Sequence, residues 1–133
     1  RRSEREARET CAELMTLMGL TQYLDAAADS MPYGALKRLE IARALAARPK
    51  LLLLDEPAAG LNATESREIA DVIRRVAATG VTVILVEHDM KMVMDISDHI
   101  LALDYGRKLA EGTPREVREN PDVIKAYLGE DGS

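Results

Sequence analysis

The sequence predicts an α/β fold in which helices cover parallel strands. Three observations carry that prediction. Leu51 to Leu54 is an unbroken apolar run that stops at Asp55-Glu56-Pro57. Val81 to Val86 is a second strand-like run, mostly β-branched. Between them, Ile69, Val72, Ile73, Val76 and Ala77 recur at helical spacing. Strand, helix, strand of this kind forms a right-handed crossover and brings both strand ends to one sheet edge.

The leucine run does not alternate, so it has no wet face and is expected to be buried on both sides. An isolated carboxylate in an apolar interior is very costly. Asp55 and Glu56 are therefore expected at the C-terminal edge of the sheet, where open α/β folds bind ligands. Pro57 has no N–H to give to a ladder, so the strand ends there.

Composition narrows the function classes. The 133 residues fit one small domain. The chain begins at Arg1 rather than Met, and a lost native start is expected. Hydrophobic residues make up 47% of it, with no Phe, no Trp and four Tyr. So few aromatics argue against base-stacking recognition of nucleic acid. The net charge of −5 argues against general affinity for phosphate backbones or anionic lipid. The single cysteine, Cys11, cannot form an internal disulfide and fits a reducing compartment. No apolar run approaches the ~18 residues that a membrane helix needs, and no signal peptide is recognisable.

Along the chain, Ser3 to Met18 reads as a charged helix with an apolar stripe of Ala7, Cys11, Leu14 and Met18. Cys11 is expected to be a small core residue on that stripe. Gly19 stops the helix. Thr21 to Ala28 reads as a short second helix, and Ser30 to Gly34 as a loop. A helix is expected from Ala35 to Ala47, with Leu39, Ala42 and Ala46 on one face, widened by Ile41 and Leu45. Arg48-Pro49-Lys50 breaks it.

Asn62 with Glu65 three residues on is a capping-box signal for the next helix, which Gly80 ends. Asp89 caps a short helix carrying Met90, Val93 and Met94; Met90, Met92 and Met94 are expected to pack or to face a partner. Ile100 to Leu103 and Lys108 to Ala110 flank a turn at Asp104 to Arg107 and predict a hairpin. Thr113-Pro114-Arg115-Glu116 combines a capping box with Pro at the first helical position. Asn120-Pro121 repeats the device before a last helix that stops near Gly129. Residues 130–133 are expected to fray.

The chemistry-bearing residues have two readings each at this level. Asp55 and Glu56 are either solvated acids at a strand end, or a Mg²⁺-shell carboxylate and a water-polarising one. His88, in Glu87-His88-Asp89, is either a loop residue or an imidazole that senses a phosphate from the same sheet edge. The Met31 to Ala35 segment is either an ordinary helix entry or an anion site made of backbone N–H groups. The ordinary entry is the better reading on physics alone. Lys37, Arg38 and Arg43 would then be a solvated face. His99 has no such setting and reads as surface or structural.

Together these segments resemble the C-terminal half of an ABC-type ATP-binding domain. Met31-Pro32-Tyr33-Gly34-Ala35 and the residues through Leu45 resemble the signature segment and its helix. Leu51 to Glu56 resembles Walker B plus the catalytic glutamate. Ala58-Ala59-Gly60-Leu61-Asn62 resembles the D-loop, and Glu87-His88-Asp89 the switch histidine. Pro32-Tyr33-Gly34, the stretch from Asp55 to Asn62, Glu87 to Lys91 and the tail from Asn120 to Gly129 are most similar to ATP-binding subunits of branched-chain amino acid importers.

The resemblance implies a partial P-loop NTPase fold: parallel strands with flanking helices, a helical signature subdomain and a C-terminal hairpin. Residues 1–34 would belong to the helical subdomain with its signature loop, and 35–129 to the RecA-like core. It implies ATP and Mg²⁺ as cofactors, with Asp55 on the Mg²⁺ shell through water. Glu56 and His88 would be catalytic, and Met31, Pro32, Tyr33, Gly34, Ala35, Gly60 and Asn62 would bind nucleotide. The implied partners are a second ATP-binding subunit and transmembrane permease subunits at the cytoplasmic face of the inner membrane. Two alternatives keep the same fold: a non-transport ABC ATPase in repair or translation, and a regulatory module without chemistry.

The sequence departs from the family pattern in three places. The usual Leu-Ser-Gly-Gly-Gln signature is Met31-Pro32-Tyr33-Gly34-Ala35, so the serine hydroxyl is absent and Pro32 offers no N–H. The usual D-loop aspartate is Asn62. No G-x-x-x-x-G-K-[ST] occurs in the chain. The 133-residue chain is therefore expected not to bind ATP usefully alone, and to self-associate through an uncovered strand edge or sheet face.

Overall fold

The computed structural model describes residues 3–25 and 30–128. The chain divides into two compact units, residues 1–86 and 87–133.

The first unit holds α1 (Glu4–Leu17), α2 (Tyr33–Leu45), β1 (Leu51–Asp55), α3 (Ala63–Ala78) and β2 (Thr82–Val86), with a 3-10 turn at Thr21–Tyr23. β1 and β2 pair in parallel from Leu51↔Thr82 to Asp55↔Val86. The three helices pack pairwise. Capping is local and legible: Asn62 Oδ1 accepts the Glu65 N–H at 2.8 Å, and Glu65 Oε1 accepts the Asn62 N–H at 3.0 Å. Ile69, Ala70, Val72, Ile73 and Val76 of α3 are buried, whereas Ala77 is exposed.

Arg38 ties the helices together. Its Nη1 donates to the carbonyls of Met18 and Gly19 at 3.0 and 3.4 Å, and its Nη2 lies 3.5 Å from Glu68 Oε2. Carbonyls at a helix C-terminus lack intrahelical partners, so a guanidinium from a neighbouring helix satisfies them. Arg38 is thus no member of a solvated face.

Several expectations need correction. The leucine strand is not covered on both sides: Leu52 is buried, but Leu51 is 53% and Leu53 64% exposed, with Ile84 at 48% and Val86 at 50% beside them on β2. The described chain supplies apolar cover for one face only. Cys11 is exposed rather than in the core. Burial on α1 falls on Met15 and on its cap Met18, because only the C-terminal turns meet the other helices.

α2 begins at Tyr33, two residues earlier than expected, since Pro32 caps it in an extended conformation without a side-chain bond. It ends at Leu45; Leu39 is only half-buried and Ala46 is exposed, so the covered face centres on Ile41, Ala42 and Leu45. The expected helix over Thr21 to Ala28 is a 3-10 turn at its start, and residues 26–29 lie outside the described residues.

The second unit holds α4 (Met90–Ile96), β3 (Ile100–Asp104), β4 (Arg107–Gly112), α5 (Pro114–Glu119) and α6 (Pro121–Val123), which runs into a π-helical turn at Ile124–Leu128. β3 and β4 form an antiparallel hairpin. Its two-residue turn, Tyr105-Gly106, has φ of +50° and +77°, as a type I′ turn requires. Ile100, Ala102, Val117 and Val123 form the core, flanked by Val93, Met94, Leu109, Ala110 and Tyr127. The Tyr127 hydroxyl donates to the Leu103 carbonyl. Met92 is buried. His99 lies at the surface, with Nε2 2.9 Å from Glu111 Oε2. Gly129 and the tail at 130–133 lie outside the described residues.

The α5 start yields a prediction with a pH signature. Glu116 Oε1 accepts the Thr113 N–H at 3.0 Å, and Thr113 Oγ1 accepts the Glu116 N–H at 3.2 Å. The Thr113 backbone and side-chain bonds hold the Glu116 carboxyl below its ordinary value. A depressed folded-state pKa stabilises the fold above the unfolded glutamate pKa, and that contribution fades as pH falls through the folded value. Thr113→Ala should cost about 1 kcal/mol in urea unfolding at neutral pH. The gap from the native protein should narrow on acidification below the usual carboxylate range.

Candidate functional site

The end of β1 sets the first half of the site. The ladder extends one residue past Asp55, because the Glu56 N–H donates to the Val86 carbonyl at 2.7 Å. Glu56 then takes a positive φ of 49°, and the Ala59 N–H donates back to its carbonyl at 3.0 Å. The chain thus leaves the sheet in a tight turn, and both Asp55 and Glu56 are exposed. That agrees with the expectation that neither acid lies in the interior. A left-handed conformation costs a non-glycine residue about 1–2 kcal/mol and persists where the surroundings impose it. Here the sheet bond on one side and buried Pro57 on the other impose it.

Asp55 presents hard carboxylate oxygens at a strand end, the donor type that Mg²⁺ takes. The chain contributes carboxylates suited to such an ion and no Walker A lysine.

The signature segment forms the second group. Met31 is buried and Pro32 and Tyr33 are exposed. Tyr33, Gly34 and Ala35 make up the first turn of α2, whose N–H groups lack intrahelical acceptors. Gly34 and Ala35 are buried: a Cβ at Gly34 would lie 2.7 Å from Glu65 Oε2. The D-loop-like stretch, Ala58 to Asn62, begins two residues after Glu56. Gly60 has φ +79°, the Leu61 N–H donates to the Ala58 carbonyl at 3.1 Å, and Asn62 caps α3. Thus the first unit brings the signature turn against the D-loop. Sequence spacing gave no sign of this contact, since the partners are 27 positions or more apart.

His88 belongs to the second unit, two residues beyond the end of β2. Glu87 Oε1 accepts its N–H at 3.0 Å and that of Asp89 at 3.4 Å. Asp89 Oδ1 accepts the Met92 N–H at 3.1 Å and caps α4, as its position predicts. The ring of His88 is exposed.

Comparisons with known proteins bear on the family and the fold. Residues 2–59 match the family model described as ABC transporter. Residues 107–133 match the model of the branched-chain amino acid ATP-binding cassette transporter. Over these residues the chain is similar to ABC transporter ATP-binding proteins. The relatives it matches include ATP-binding proteins of branched-chain amino acid transport.

It is 52% identical over 131 residues to the high-affinity branched-chain amino acid transport ATP-binding protein BraF of Pseudomonas aeruginosa, a match covering 98% of this chain and 51% of that protein. It is 46% identical to LivG, the corresponding protein of Escherichia coli, with the same coverage. The fold matches the ADP conformation of an ATP-binding cassette of an ABC transporter, with a TM-score of 0.83 and 28% identity over 97% of this chain and 52% of that one. A component of an ABC transporter complex from Clostridium perfringens matches equally well, at 0.83 and 29% identity over 99% of this chain and 54% of that one. The chain spans about half the length of the relatives it matches.

The positive φ at Glu56 has a measurable consequence. In ordinary backbone, alanine is at least as stable as glycine; at a left-handed position the order reverses. Glu56→Gly should unfold at higher denaturant than Glu56→Ala, by about 1 kcal/mol. Equal stabilities would show that the turn relaxes when the glutamate is removed.

Proposed function

We propose that the natural protein is the ATP-hydrolysing subunit of an ABC importer for branched-chain or other hydrophobic amino acids. The observation that carries this reading is the β1 end, where a two-stranded parallel ladder presents Asp55 and Glu56 to solvent in a turn that fixes Glu56. The similarity to BraF and LivG supports the solute class.

Asp55 would hold the Mg²⁺ shell through water, and the ion would neutralise charge on the β- and γ-phosphate oxygens. Glu56 polarises the attacking water, and His88 contacts the γ-phosphate. The signature turn from Met31 to Ala35 approaches the nucleotide of a second ATP-binding subunit. With no serine and no N–H at Pro32, it relies on the N–H groups of Gly34 and Ala35 and on the helix dipole. Gly60 and Asn62 shape the D-loop beside it. Residues 1–34 belong to the helical subdomain that docks on transmembrane permease subunits, and 35–129 to the ATPase core. On this reading the natural protein works peripherally at the cytoplasmic face of the inner membrane. Among the described residues no helix is long and apolar enough to cross a membrane.

In the intact protein, Glu56→Gln should retain ATP binding and abolish turnover. Unchanged hydrolysis would contradict the role of Glu56. The 133-residue chain alone carries no Walker A loop, which supplies most phosphate contacts. Calorimetric titration of that chain with ATP should detect no binding in the micromolar range, and a micromolar affinity would refute the reading.

The bare face of Leu51, Leu53, Ile84 and Val86 and the sheet edges left unpaired among the described residues supply a surface for self-association of this chain. Sedimentation velocity should show dimers or larger species that Leu53→Lys shifts towards monomer. A clean monomer at high concentration would count against it.

A further inference from the structure

We propose that Tyr33 is a positioning residue: its ring locks the first turn of α2 onto Gly60 and so sets the backbone that carries Glu56. This rests on the ATPase reading above, and adds to it a route within one chain from the signature turn to the water-polarising carboxylate.

The contact is tight and specific to glycine. A Cβ at Gly60 would lie 3.3 Å from Tyr33 Cε2, 3.5 Å from its hydroxyl oxygen and 3.7 Å from Cζ. The ring therefore rests on the bare Cα of Gly60. The φ of +79° independently disfavours any side chain there. Tyr33 is nonetheless 52% exposed, so one side of the ring is seated and the rest is open. Lys37, one turn along α2, places its Nζ 5.9 Å from the ring centroid and helps to hold the ring in place.

A second close approach sits one residue on. A Cβ at Gly34 would lie 2.7 Å from Glu65 Oε2 and 3.3 Å from its Cδ and Cγ. Glu65 is anchored, because its other oxygen accepts the Asn62 N–H in the capping box. Two adjacent residues of α2 thus bear on both ends of one short segment, Gly60 to Glu65. Local bonds tie that segment to Glu56: the Leu61 N–H to the Ala58 carbonyl and the Ala59 N–H to the Glu56 carbonyl.

Glu56 itself occupies a backbone conformation that only its surroundings hold in place. A small shift of the signature turn, when it closes on a partner's nucleotide, is delivered to Gly60 and from there to Glu56. Tyrosine stands where the usual signature has a glycine, so the ring is not a requirement of the helix start. It is an added wedge that makes the coupling stiff.

The test is a double-mutant cycle in the intact ATPase, read as kcat and KM for ATP. Tyr33→Ala and Gly60→Ala should each lower kcat ~10-fold, less than the ~100-fold that a full ~1 Å misplacement of a reacting group can cost, with KM changed less than ~2-fold. The double variant should be no slower than the slower single one, because Tyr33→Ala removes the ring that a Cβ at Gly60 would displace. Tyr33→Phe should recover most of the kcat lost in Tyr33→Ala. Losses that multiply, or an effect of Tyr33→Ala on KM alone, would overturn the proposal.

Glu56→Gln measured alongside keeps the two ideas apart. Full turnover in that variant overturns the role of Glu56, whereas multiplying losses with Glu56→Gln inactive overturn only the coupling. If Gly60→Ala does not fold, the Gly60 amide resonance of ¹⁵N-glycine-labelled protein carries the test. A nucleotide-induced shift at Gly60 that disappears in Tyr33→Ala supports the coupling, and one that persists overturns it.

Discussion

The in-register parallel pairing of β1 with β2 is the constraint on which the first unit depends. It sets Asp55 opposite Val86 and leaves the Val86 carbonyl to receive the Glu56 N–H. Parallel strands need a crossover, and α3 is that crossover, its apolar stripe fixed by Ile69, Val72, Ile73 and Val76. A one-residue slip of the ladder would reverse which side chains face the helices and move the carboxylates off the end of the strand. The position of the acids is therefore a property of strand register before it is a property of any side-chain contact.

Local signals proved the most legible in the sequence. Both capping boxes form with both reciprocal bonds, because a box needs only residues three apart and a nearby helix. The hairpin turn was placed by Asp104 to Arg107, where glycine permits left-handed backbone and Tyr105 tolerates it. The acids at the end of β1 were legible because burying them is so unfavourable. The matches to family models at residues 2–59 and 107–133 bear out the resemblance read from the motifs.

What escaped the sequence was long-range or depended on what covers a surface. The stripe through Cys11 is real as a periodicity, yet periodicity does not say how far along α1 its neighbours reach. The leucine run advertises two covered faces, and the described chain covers one. The start of α2 leaves no mark in the sequence, because Pro32 caps by backbone conformation without a side-chain bond. The seat of Tyr33 on Gly60 joins residues that no local pattern links.

Arg38 gives the three helices of the first unit an unusual mechanical property. One planar head group bonds two carbonyls at the end of α1 and a carboxylate on α3 while rooted in α2. An ammonium on a flexible stem could not hold this fan of acceptors with comparable rigidity. Force applied to the exposed outer turns of α1 would consequently not be dissipated in a soft joint. It would be felt by α2 and α3 together, through the one side chain that bonds both.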